Sequence, residues 1–184
     1  IQLLAWPLVN VDDVLVGNPD APSVVVVEGS AERADYAAQL WSRRGLVARK
    51  LQGDRMTDDE GVFQEFSAAM QFPSYYRWGW DQLAGLLEDL NWLRSTTGYV
   101  IVVPNAERVL IDHSAQLPIL LSILGEATDS WERAELTTPA DRWRLTVRAF
   151  HTVLFTEHFE DLQAQWPIPL EVAEFTQVSD RRSR

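Results

Sequence analysis

Cysteine is missing altogether from these 184 residues. Disulfides and thiolate chemistry are thereby excluded, and a reducing compartment is compatible. Lysine is nearly missing, with Lys50 alone against fifteen arginines. Histidine is sparse: His113, His151 and His158 are the full set, and no two form an HxxxH or other close metal pair. No apolar run approaches the roughly 20 residues that span a bilayer. Glycine-rich phosphate loops are also lacking. VVVEGSAERAD has one glycine where the dinucleotide fingerprint needs three, and no GKS or GKT follows a strand. No serine sits in a GxSxG elbow. These gaps argue against an enzyme. No residue is assigned a catalytic role, and neither a cofactor nor a metal is expected. An α/β enzyme using a Glu/His pair would require a concave pocket where those groups converge.

Negative charge is in excess. The formal net charge is −11 and the isoelectric point about 4.6. Such a surface repels nucleic acid and anionic lipid and speeds encounter with a basic protein. The expected partner is therefore a basic protein, not nucleic acid or a membrane. Hydrophobic residues make up 46%, enough for a packed core. The opening IQLLAWPLVN lacks the charged n-region of a signal peptide, and a cytoplasmic location is the expectation.

Short valine-rich runs mark the strands. SVVVVE (23–28), Leu46–Leu51, YVIVV (99–103) and FHTVLF (150–155) read as strands, SVVVVE and YVIVV as buried ones of a parallel sheet. Leu170–Val178 reads as a further edge strand. Between them lie helical stripes. Ser30 is placed to cap a helix carrying Ala37, Leu40 and Trp41, which ends on Arg43, Arg44 and Gly45. Thr57 to Glu60 fits a capping box, with Thr57 as N-cap. A carboxylate metal cluster at the same residues lacks the oxygen-rich loop that it needs. Asn105 starts a short helix reaching Ile111, and Ser114 or Pro118 starts a long one carrying Ile119, Leu120, Ile123, Leu124 and Ala127. TTPAD (137–141) reads as a loop and DRRSR as a frayed tail. Strands alternating with helices give an α/β fold with a mainly parallel sheet of about four strands and helices packed on it. The chain reads as a single domain over 1–184. An N-terminal strand-helix extension covers 1–45, a core 46–155, and a C-terminal extension and tail 156–184.

The densest stretch runs from Phe72 to Leu93, FPSYYRWGWDQLAGLLEDLNWL, with three of the eight tryptophans and two of the four tyrosines. Pro73 ends the preceding helix. Tyr75, Tyr76, Trp78 and Trp80 crowd a turn, and Leu83, Leu86, Leu87, Leu90 and Leu93 follow at helical spacing. Asp81, Glu88 and Asp89 fall off that stripe. The product is an aromatic turn feeding a helix with an acidic outer face. Trp80 and Trp92 are expected in the core, Tyr75, Trp78 and Asp81 at the surface, and Tyr76 at either. Gly85 inside a helix suggests close packing, by another element of the chain or by a partner.

FPSYY, WDQL and DLNWL, with the capped segment TDDEGVFQEFSAAMQFP and the strand FHTVLF, resemble the barstar family of ribonuclease inhibitors over about Leu46 to Phe155. The resemblance implies a barstar-like fold whose aromatic turn and following helix plug the active site of a basic ribonuclease or toxin protein. It implies partner-binding roles for Tyr75 and Asp81, for Gly79 where the family has Asn, and for Glu126 on the later helix. Tyr76, Arg77, Trp78, Gly85 and Glu88 join the expected face. The family's main inhibitory aspartate aligns with Gly85, and Arg77 stands where a small residue is usual. Glu88, seven residues beyond Asp81, returns to within about 20° of the same line and offers a replacement charge. Two readings stay open: an inhibitor or immunity protein, and a barstar-fold binding or scaffold module that no longer inhibits a ribonuclease. Oligomeric state and partner identity are not legible.

Overall fold

The computed structural model describes residues 9–11, 22–95, 97–133, 149–166 and 170–175. The expected 137–141 loop, the C-terminal tail and most of the first 22 residues lie outside these. Strand order follows from the valine runs. β1 (Val9–Asn10), β2 (Val24–Glu28), β3 (Val47–Lys50), β4 (Tyr99–Val103), β5 (Phe150–Thr156) and β6 (Glu171–Glu174) form one sheet in the order β1-β6-β2-β5-β4-β3. All described pairs are parallel. The α/β class is as read from the sequence, but the sheet is wider than four strands. β6 is not an edge: it pairs with β2 on one side and with the short β1 on the other.

Side chains alternate between the two faces, and both faces are covered. Val24 and Val26, Tyr99, Ile101 and Val103, and Phe150 and Leu154 point to one core. Val25 and Val27, Val100 and Val102, and Val153 and Phe155 point to the other. The second core is closed by α1 (Ala31–Arg43). Its Trp41 is fully buried against Phe175, with ring centroids 5.7 Å apart. Gly45 ends this helix at φ 94, a conformation costly for any residue with a Cβ. The strand and helix of residues 1–45 thus extend the sheet and cover one side of it.

The first core is closed by α2 (Asp59–Met70), α3 (Trp80–Asp89), α4 (Leu117–Glu132) and α5 (Phe159–Gln165). The cap of α2 differs from expectation by one residue. Asp58, not Thr57, accepts the Gly61 N–H at 2.8 Å. Its carboxylate reaches three residues on, as a capping oxygen must. Asp59 is bonded to His113, and Glu60 accepts from Gln64 at 3.1 Å, so the acidic run is engaged in local structure. Asn105 opens a single 3₁₀ turn, Ala106–Arg108, in place of a helix to Ile111. The long helix α4 begins at Leu117 with Pro118 in its first turn.

His151 lies in the middle of the sheet, 1% exposed, and among the described residues neither ring nitrogen has a hydrogen bond of good geometry. Burial pushes its pKa below the ordinary value, with the Pro22 backbone opposing this to a lesser degree.

Candidate functional site

The turn between α2 and α3 is built by local bonds. α2 stops at Met70, and Gln71 turns left-handed at φ 54, two residues before Pro73. The Tyr76 N–H donates to the Pro73 carbonyl at 2.9 Å, closing a tight turn. The Arg77 N–H donates to Gln82 Oε1 at 2.6 Å, which ties the turn to the helix that it feeds. Arg77 folds back so that Nη1 donates to the carbonyls of Ser74 at 3.3 Å and Tyr76 at 3.2 Å. Its charge stays exposed while its position is fixed.

Aromatic residues here divide by burial. Tyr76 is buried against Phe72, with centroids 4.9 Å apart. Among the described residues its hydroxyl has no hydrogen-bond partner of good geometry, and burial raises the phenol pKa to about 12, slightly opposed by the Gly79 backbone. Trp80 packs edge-on against Phe63 at 4.9 Å, and Trp92 donates its indole N–H to the Met70 carbonyl at 2.9 Å. Both are partly buried and packed on the core, as their place near the apolar stripe predicts. Tyr75 and Trp78 point outward, 63% and 53% exposed. Two large rings held in water by a bonded turn are the kind of surface that anchors protein partners.

Helix α3 is held rigidly behind them. Leu83, Leu86 and Leu87 are buried beneath it, and Leu90 leaves the helix left-handed at φ 42 while fully buried. The buried Trp131 indole of α4 donates to the Leu87 carbonyl at 2.8 Å. This satisfies a last-turn carbonyl that the helix cannot pair itself. The Tyr99 hydroxyl of β4 donates to the Leu93 carbonyl at 2.8 Å. Aromatic side chains from α4 and the sheet therefore fix the angle at which α3 shows its acidic face.

Asp81 is exposed in the first turn of α3, where a carboxylate complements the helix dipole. It lines a shallow cleft of about 360 Å³ between α3 and α4. Glu126 of α4 lines the same cleft and accepts from Ser122 at 2.7 Å. Ala84, Pro118, Ile119 and Ile123 supply its apolar surface, with Ile119 itself 40% exposed. The structure thus brings Asp81 and Glu126, 45 positions apart, to one opening. Glu88 and Asp89 are half-buried on the outer side of α3, and Asp89 is bonded to the Asn91 amide. Gly79 precedes the helix in extended backbone, and its carbonyl accepts the Leu83 N–H at 3.0 Å.

Gly85 corrects one expectation. Among the described residues no element packs against it: a Cβ built there would meet nothing within 4 Å, and the residue is exposed. It still costs the helix about 1 kcal/mol relative to Ala.

A second cleft, of about 630 Å³, went unread in the sequence. Glu107, Arg108 and Ile111 face His158, Asp161 and Gln165 across it, outside the carboxyl ends of β4 and β5. The buried Thr156 hydroxyl donates to Glu107 Oε2 at 2.6 Å. These residues belong to the 3₁₀ turn, to loops and to the short helix α5, where no periodicity signals a shared site. Among the described residues no three His, Asp or Glu side chains converge to hold a metal ion, and no helix is long and apolar enough to cross a membrane.

A family model described as Barstar (barnase inhibitor) matches residues 46–141, more than half of the chain. The chain belongs to the barstar family. The matched region contains β3, α2, the aromatic turn, α3, β4 and α4, and so every element of the candidate face. The barstar match stops before β5, which completes the sheet beside β4. No characterised protein and no solved structure matches the chain.

Proposed function

We propose that this chain is an inhibitor or immunity protein that binds a basic bacterial ribonuclease and covers its active site without chemistry of its own. The observation that carries this reading is the pairing of exposed rings with a two-carboxylate cleft on one rigid mount. Tyr75 and Trp78 are exposed on the turn that leads into Trp80 and Asp81, which line an opening together with Glu126. An apolar floor between two carboxylates suits an arginine or lysine of the partner, whose stem is apolar and whose head is cationic. A ribonuclease needs such cations to hold RNA phosphates, so capturing one removes substrate binding directly. The net charge of −11 would speed the encounter. Within this reading the protein acts in the cytoplasm of the cell that makes the enzyme. Adding the purified protein to small basic ribonucleases, with RNA cleavage as readout, tests it. Inhibition saturating at one equivalent supports the reading, and full cleavage at several equivalents across the host's own ribonucleases refutes it.

A second reading is favoured by Gly85 and Arg77. Both leave the outer face less negative than the resemblance implies, as a barstar-fold binding module without a ribonuclease partner would allow. Affinity capture from the source cell separates the two, since a nuclease prey supports the first and a non-nuclease prey the second.

A further inference from the structure

We propose that the cleft of about 630 Å³ outside the carboxyl ends of β4 and β5 binds an α-amino acid with a cationic side chain. The ligand carboxylate meets Arg108, and its two cationic groups meet Asp161 and Glu107. Small-molecule sites have volumes of this order, and ligands of open α/β sheets gather outside the carboxyl ends of the strands. The cleft shares no lining residue with the opening between α3 and α4. Glu107, Arg108 and Ile111 on one wall lie within the family-matched residues. The opposite wall, α5 and the His158 that precedes it, lies beyond them. The barstar-matched part alone therefore does not build this cleft.

Side-chain bonds hold the walls. Thr156 Oγ1 donates to Glu107 Oε2 at 2.6 Å and accepts the His158 N–H at 2.9 Å. Gln165 Nε2 donates to the Val109 carbonyl at 2.6 Å. Both ends of α5 are thereby fixed against the Ala106–Arg108 turn and the residue after it, which leaves little ordering for a ligand to impose. The charged groups are by contrast unused. Among the described residues the Arg108 guanidinium, the His158 ring and the Asp161 carboxylate make no hydrogen bond and no ion pair, although Arg108 and Asp161 line one opening with opposite charges. Opposite charges that share an opening without pairing leave room for a ligand that pairs with each.

Charge then selects the class. One guanidinium and two carboxylates call for one anionic group and two cationic ones. A basic α-amino acid carries that set on an apolar stem, and Ile111, 44% exposed, offers the stem a surface. The guanidinium fork suits a carboxylate, with two parallel bonds. A phosphate dianion would instead face repulsion from both carboxylates.

Three probes separate the contacts: L-lysine, cadaverine, which lacks its carboxylate, and L-norleucine, which lacks its side-chain ammonium. Each is titrated into the intact chain and followed by NMR shifts of the backbone amides. L-Lysine is expected to shift amides in residues 105–111 and 157–165 with a dissociation constant below about 1 mM, and each analogue to bind at least 10-fold more weakly. Arg108→Gln should bind lysine no better than wild type binds cadaverine, and Asp161→Asn should lose at least 5-fold. Both side chains are exposed, so both variants should melt within about 1 °C of wild type. Absence of shifts at about 10 mM lysine, a match of lysine by either analogue, or unchanged lysine affinity in either variant overturns the site. None of these results touches the ribonuclease reading, which rests on other residues.

Discussion

Trp78 carries the clearest consequence at the scale of single residues. It is 53% exposed, so its removal opens no cavity, yet it stands two residues before Trp80, which lines the acidic cleft. Trp78→Ala is expected to leave the thermal midpoint within about 1 °C of wild type while weakening the partner complex at least 10-fold, the scale of an interface anchor. Calorimetric titration alongside thermal melting checks both halves. His151 makes a separate claim. Its folded-state pKa is lowered by burial, so the unfolded chain takes up a proton that the folded chain refuses. Stability from this residue is full above the unfolded pKa of about 6.5 and is lost as pH falls toward the folded value. Denaturant midpoints measured from about pH 7 to about pH 5 should fall more steeply in wild type than in His151→Leu. Parallel slopes would show that the imidazole does not govern the loss. Tyr75, Trp78 and Asp81 were legible as surface residues because they fall outside the leucine stripe. Tyr76 was not legible, since adjacency to a turn fixes neither burial nor its partner Phe72. Gly85 was half legible: a sequence shows that a glycine is costly in a helix but not which side has the room.

Capping and periodicity act at the scale of elements. Asp58 holds the first turn of α2 through the Gly61 N–H. Asp58→Ala should cost about 1 kcal/mol, and Thr57→Ala within about 0.5 kcal/mol of nothing, as read from urea unfolding. Equal losses would return the cap to the Thr57 box. The miss has a simple cause. Thr57 and Asp58 are both good caps followed by acidic residues, and one residue of register decides which side chain faces the free N–H groups. β2, β4 and β5 were legible because apolar runs in a two-sided sheet cannot be satisfied elsewhere. The interior place of β6 was not, because β1, the strand that covers it, is only two residues long and carries no pattern. Asp81 and Glu126 could be paired only through the family resemblance, since spacing along two separate helices does not reveal a shared cleft.

The sheet makes the extension structural at the scale of the whole molecule. β2 lies between β5 and β6, and α1 buries Trp41 over the face opposite the candidate site. Deleting residues 1–45 would bare Val100, Val102, Val153 and Phe155 together. That chain is expected to lose its cooperative melting transition, as followed by circular dichroism; a retained sharp transition would show that the family-matched part folds alone. The elements that present Tyr75, Trp78, Asp81 and Glu126 all rest on the other face, so the interaction surface and the added helix are on opposite sides of the sheet. Amide hydrogen exchange of the intact chain, with and without one equivalent of a ribonuclease that it inhibits, tests the placement of that surface most directly. New protection should appear in residues 73–89 and in the first half of α4 up to Glu126, while α1 exchanges as before. Protection of α1 with unchanged exchange at the aromatic turn would contradict the account.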